Sequence, residues 1–141
     1  MATERDDLAP IEVRIASTGH DTAHDVTAAI EARVPELARA SGLLRVCLVA
    51  SSAALTIMRY EPGTVQDLFA VLDEIAPRTR VWEHERTTGD PNGYAHVCCS
   101  LLGTSVLVPF QECRLALPAK HRVVLLDFDP KESQRRILLD A

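Results

Sequence analysis

Residues 45–57 read Arg-Val-Cys-Leu-Val-Ala-Ser-Ser-Ala-Ala-Leu-Thr-Ile, two apolar runs meeting at a pair of serines. Short apolar runs containing β-branched residues favour strands over helices. The first run, 44–50, is apolar on both faces and predicts a central place in a sheet. The second covers 53–60. No acid, base or glycine sits at the junction, so Ser51 and Ser52 occupy a strand edge that lacks an obvious chemical partner.

Upstream, "IEVRIAS" alternates Ile11, Val13 and Ile15 with Glu12 and Arg14, a strand with one wet face. Residues 1–10 are mostly polar and predict a flexible start, leaving 11–141 as a single domain. Asp21 to Ala40 reads as a helix, with Thr22 and Asp25 as a capping box and Val26, Ala29, Ile30 and Leu37 on one face. Pro35 predicts a kink or a division into two short helices. Downstream, Thr64 and Asp67 suggest a second capping box, followed by the stripe Val65, Leu68, Phe69, Leu72 and a stop at Pro77.

The polar stretch "RTRVWEHERTTGDPNG" holds the only Trp and reads as one long loop, the kind that often carries function. A third helix is expected from Asn92 or Gly93 to Gly103. Strand-like runs follow at 105–110, 113–118, 121–128 and 135–140. Helices early and strands late predict an α+β fold with mostly antiparallel sheet and about three helices.

The chain has 141 residues, of which 47% are apolar and 25% charged, enough for one core. A net charge of -5 argues against a nucleic-acid groove or a membrane surface. No apolar run reaches the roughly 18 residues of a bilayer span, and "MATERDDLAP" lacks an apolar leader core, so the expectation is cytoplasmic. Four cysteines, Cys47, Cys98, Cys99 and Cys113, form no C-x-x-C pair, and three are expected to be small buried hydrophobes.

Candidate chemistry is sparse. On the third helix, Tyr94, Val97, Cys98 and Leu101 share a face, which leaves His96 off the core side. "WEHE" flanks His84 with Glu83 and Glu85, a set able to hold a cation or anchor a charged loop. Thr104 and Ser105 stand at a helix-to-strand turn, where hydroxyls hold a phosphate or satisfy the backbone. Walker, G-x-G-x-x-G, G-x-S-x-G and H-E-x-x-H patterns are all missing.

Taken in order, "SSAALTI", a helix ending in Pro, "EHERTTGDPNGYAHVCCSLLGTSVLVP" and "CRLAL" resemble the YjbQ family (the UPF0047 group), over residues 11 to the C-terminus. Members are small trimers, some named secondary thiamine-phosphate synthases. The family pattern runs H-T-S-A-A-L-T-I-N-E-N, D-D-M-P-A-H-I-K-S-x-L-L-G-x-S, G-R-L-x-L-G-T-W-Q-G-I and E-H-R. In this chain the first histidine matches Ala50 and the E-H-R histidine matches Phe128, while the middle one is kept as His96. Met58-Arg59-Tyr60 replaces N-E-N, Ala119-Lys120-His121 replaces T-W-Q, and Glu112-Cys113 replaces a D-G turn, which predicts a different hairpin type.

The resemblance implies a homotrimer with a degenerate pocket that binds a phosphorylated small molecule with little or no catalysis. Its implied catalytic residues are His96 and His84. Ser51, Ser52, Arg59, Thr104, Ser105, Lys120, His121 and Asp127 are the implied ligand contacts. His121, Asp127 and His84 would refill the cavity left by the lost histidines. Metal is expected weakly if at all, through His96 and His84. The alternative is an enzyme like the thiamine-phosphate synthases, in which cations assist pyrophosphate departure. A redox role for Cys98 and Cys99 ranks last, because adjacent helical cysteines diverge by about 100°.

Overall fold

The computed structural model describes residues 9–141, so most of the expected flexible start lies outside the described residues. Among the described residues there are eight strands: β1 (Ile11–Ser17), β2 (Thr22–Asp25), β3 (Gly42–Val49), β4 (Ala53–Arg59), β5 (Ser105–Gln111), β6 (Arg114–Leu115), β7 (His121–Asp127) and β8 (Ser133–Asp140). The helices are α1 (Thr27–Glu31), α2 (Pro62–Ile75), α3 (Glu83–Thr88) and α4 (Gly93–Leu102), with a 3-10 turn at Val34–Glu36. One sheet runs β1-β8-β3-β5-β6 and the other β2-β7-β4. Every pairing is antiparallel, as the α+β reading required.

The two opening strands of the sequence are not hairpin partners. β3 lies at the centre of the five-stranded sheet, as expected, while β4 crosses over to pair with β7 in the other sheet. Ser51 and Ser52 are therefore the link between sheets. Inward residues of both sheets, among them Leu44, Val46, Val108, Ile137, Leu55, Val123 and Leu125, form the main core. The opposite face of the three-stranded sheet packs Ala54, Val124 and Leu126 against Leu72 of α2 and Tyr94, Ala95 and Cys98 of α4.

The long helix expected over 21–40 does not form. Thr22 to Asp25 pair instead with β7, His24 opposite Leu125. Asp25 still starts a helix, its Oδ1 accepting from Thr27 N at 3.0 Å, but α1 lasts five residues before Pro35 imposes the 3-10 turn. Val26, Ile30 and Val34 are fully buried, so the apolar stripe was real although the helix was broken. At α2 the cap is Glu61, which accepts from Thr64 N at 3.0 Å, in place of the expected Thr64–Asp67 box.

The 113–118 run shortens to two paired residues in β6. Its hairpin turn holds Glu112 and Cys113 both left-handed, the geometry of the two-residue turns that a D-G pair favours, so the expected change of type does not occur. Leu101, placed on the core face by periodicity, is 55% exposed, and Cys99 is buried in its stead. Cys98 and Cys99 are the buried thiols, Cys113 is half-buried, and Cys47 is exposed on the outer sheet face, one fewer than the three expected. Among the described residues no helix is long and apolar enough to cross a membrane.

Candidate functional site

The stretch read as one long loop contains α3. Glu83 and Glu85 in its first turn and Arg86 in its last suit the helix dipole, and Gly89 ends it in a left-handed cap with φ 74°. The "TTGDPN" run hid this helix behind turn residues. The first histidine of the site rides on it.

His84 and His96 meet edge to face, with ring centroids 4.6 Å apart and planes at 68°. Each ring has one N–H committed. His84 Nε2 donates to Asn92 Oδ1 at 2.9 Å, and His96 Nδ1 donates to the Ser51 carbonyl at 2.8 Å. In the neutral rings these bonds leave His84 Nδ1 and His96 Nε2 as acceptors. Anchoring of this kind fixes ring orientation and tautomer.

The supporting residues have clear reasons to be what they are. Asn92 stands at the N-cap of α4 without capping it, because its side-chain oxygen serves His84. Gly93 permits the approach of α3, since a Cβ there would lie 2.6 Å from Trp82 Cβ and 3.3 Å from His84 Cβ. Trp82 in turn donates its Nε1–H to Pro77 O at 3.2 Å. Pattern reading picked out the histidines, but not Asn92 or Gly93. Both lay in a segment that looked like turn, where Asn and Gly carry no surprise.

Ser52 belongs to a buried ionic network. Arg135 donates from Nε and Nη2 to both oxygens of Asp127, each at 2.8 Å, and from Nη2 to Ser52 Oγ at 3.2 Å. Ser52 Oγ donates to Asp129 Oδ2 at 2.7 Å, and Asp127 also accepts from Asp129 N. Burial pulls the Asp129 carboxyl upward, but the bonds from Ser52 and Lys131 N outweigh it and hold it below its usual value. The Asp127 bond raises Arg135 further above the guanidinium range. Asp127 is wholly buried and its oxygens are engaged, so it faces the sandwich interior and not the histidines. Sequence reading missed Arg135 entirely.

Phe128 is 1% exposed, with its ring edge-on to Phe69 at 6.0 Å. An imidazole at that position would enter the second core and not the site. Ala50 packs against the main core, and its carbonyl accepts a weak bond from Cys99 Sγ at 3.9 Å. The remaining candidates are scattered. Thr104 and Ser105 lie beyond the far end of α4, where the Thr104 carbonyl accepts from Leu48 N. Arg59 pairs in register with His121, and the Lys120 carbonyl accepts from Tyr60 N. That group sits at the opposite end of β4 from Ser51, about 20 Å away at the usual rise per residue. His121 and Asp127 therefore do not join His84 around one cavity within this chain.

The carboxylates of "WEHE" are not gathered with the histidines into a cluster of three or more among the described residues. Glu83 pairs with Arg86, and no cluster of three or more His, Cys, Asp or Glu able to hold a metal occurs among the described residues. Two imidazoles alone fall short of the usual zinc set. Burial raises the thiols of Cys98 and Cys99 above their ordinary pKa, which disfavours the reactive thiolate a redox role needs.

These features define an antiparallel two-sheet α+β protein with an anchored histidine pair where a sheet crossover meets α3 and α4. The chain belongs to the UPF0047, YjbQ-like family, whose pattern matches residues 11–141. It is 33% identical over 97 residues to a UPF0047 protein of Archaeoglobus fulgidus, covering 69% of this chain and 75% of that one. It is 29% identical over 119 residues to the UPF0047 protein YugU of Bacillus subtilis, covering 83% and 87%. Its fold is shared with a YbjQ-like protein of Sulfolobus solfataricus at a TM-score of 0.83, 20% identity and 94% coverage of each chain.

Proposed function

We propose that this chain is a homotrimeric, cytoplasmic protein that binds a small phosphorylated molecule at the His84–His96 edge with little or no turnover. One observation carries the reading: two anchored imidazoles remain, and the position of the family's first histidine is an alanine. Protonated, His84 Nδ1 and His96 Nε2 become donors suited to charge-assisted bonds with phosphate oxygens, and the exposed Ser51 hydroxyl stands on the neighbouring segment.

Weak turnover follows from what the edge lacks. Departing pyrophosphate needs a cation beside it. Arg59, Lys120 and His121 lie at the other end of β4 in the same chain. Loss of a histidine used for proton transfer costs roughly 10²–10⁴-fold in rate.

The trimer is supported by the outer face of the five-stranded sheet. There Leu43 and Leu107 are 55% and 56% exposed, beside Val49 and Cys47. Apolar surface of that kind marks contact sites. The four cysteines are free, in keeping with a reducing compartment.

The test is rescue of a thiamine auxotroph lacking its main synthase, with a histidine-bearing relative as positive control. The reading predicts no rescue by this protein. Rescue by the unaltered protein equal to the relative would establish the synthase-like enzyme instead. Phe128→His is unsuitable as a rescue variant, because it would bury an imidazole against Phe69 and Tyr94.

A further inference from the structure

A second feature lies away from the histidines. A cleft of about 380 Å³ opens between β2, the β4–α2 junction and the first half of α2. Its walls are Ala23, Tyr60, Val65 and Phe69, all partly buried. Ala23, Tyr60 and Phe69 pack against the second core, so the floor of the cleft is the core itself. Phe69 meets the buried Phe128 edge-on, with ring centroids 6.0 Å apart. The volume falls in the range of small-ligand sites.

The ionisable acids and bases that line the cleft carry one sign. Asp21 and Glu61 are present and no base is. Asp21 is paired with Arg78. Glu61 spends only Oε1 on the helix cap, accepting from Thr64 N and Oγ1, and Oε2 has no bonded partner among the described residues. The Thr64 hydroxyl and N–H hold the Glu61 carboxyl below its usual value, so it is charged at neutral pH. Arg59 and Lys120 act on it from outside, but neither lines the cleft. Because Glu61 closes the N-terminus of α2, the cleft does not offer the bare N–H groups that draw anions.

The backbone here is also unusual. Gly19, His20 and Asp21 are three consecutive left-handed residues, with φ of 69°, 56° and 55°. For His and Asp this conformation is costly and persists only where the surroundings enforce it. The enforcement comes from the loop after β7: Asp129 O accepts from His20 N at 2.7 Å, and a Cβ on Gly19 would lie 2.4 Å from that same oxygen. The strained turn holds Asp21 at the cleft wall.

We propose that this cleft binds a small aromatic molecule bearing a protonated amine or amidinium. The ring lies against Tyr60, Val65 and Phe69, and the cation meets Glu61 Oε2. Aromatic faces and a carboxylate together suit such a ligand through apolar burial, cation–π attraction and a charge-assisted bond. The site is independent of the histidine edge.

The test is NMR titration of the full chain with benzamidine, and with benzoate as the anionic match. Benzamidine is expected to bind at millimolar concentration and to shift Tyr60, Val65 and Phe69, with benzoate at least about tenfold weaker. Glu61→Gln keeps an oxygen for Thr64 and should weaken benzamidine about fivefold or more. Val65→Trp, which fills the cleft, should abolish binding, and His96→Ala should leave it unchanged. Equal binding of the two probes, shifts confined to other surfaces, or a cleft closed to both because a second copy covers it would overturn the proposal.

Discussion

Replacing Asp127 by alanine tests the ionic network that clamps the sheet crossover. The wild-type carboxylate is fully buried and takes two bonds from Arg135 and one from Asp129 N. Its removal leaves the Arg135 guanidinium, with a side chain 10% exposed, hydrogen-bonded only to Ser52 Oγ, and the nearby Asp129 carboxylate is then its one remaining counter-charge. Stranding a buried charge in this way costs about 3–5 kcal/mol. The orphaned Asp129 N–H adds about 1 kcal/mol unless water reaches it. A loss of about 4 kcal/mol is a large share of a domain stability of roughly 5–15 kcal/mol. With a urea slope of about 2 kcal/mol per M, the midpoint should fall by about 2 M. The assay is urea unfolding followed by circular dichroism at pH 7 and one fixed protein concentration, since association shifts the apparent value. The paired change Asp127→Leu with Arg135→Met should recover most of the loss, because an apolar replacement leaves no stranded charge. A loss under about 1 kcal/mol for Asp127→Ala would mean that the pair behaves as a solvated surface bridge, and the reasoning would be wrong.

Gly93→Ala should cost about 1–3 kcal/mol by forcing Trp82 away, and should separate His84 from His96, read as loss of the ring-current shift between the two rings. The lowered pKa of Asp129 contributes stability that is present above the ordinary carboxylate value of about 4 and is lost as pH falls through the folded value. Asp129→Asn should therefore flatten the acid limb of a stability–pH curve while changing its slope little above pH of about 6. Zinc should bind weakly, with two imidazoles and no third ligand beside them among the described residues. Elemental analysis finding stoichiometric metal that is lost in His96→Ala would contradict this.

Much of the frame was legible because it rests on short-range pattern. Alternation in "IEVRIAS" and the Gly103 stop of α4 left little freedom. The failures have physical causes. Thr22 to Asp25 look helical alone, and only an open edge on β7 makes them a strand. α3 is six residues long, too short to show periodicity, and it is supported by the Gly89 cap at its end and by docking on Gly93. At the site, His84 and His96 were readable as chemistry-bearing types in suspicious places. Their contact depends on α3 packing against α4, which local sequence does not encode. Asp127 looked like a ligand contact because its partner, Arg135, lies eight residues away across a turn.

The central claim is that His84 and His96 act together on a phosphorylated ligand, and long-range ¹H–¹⁵N NMR of the imidazoles in the presence and absence of inorganic pyrophosphate tests it most directly. Without ligand, the account predicts a proton on Nε2 of His84 and on Nδ1 of His96, as their bonds to Asn92 and Ser51 require. With pyrophosphate at the same pH, the free nitrogens of both rings should shift together, while His20, His24 and His121 stay in place. Unmoved signals from His84 and His96, or a response confined to His121 at the far end of β4, would contradict the account.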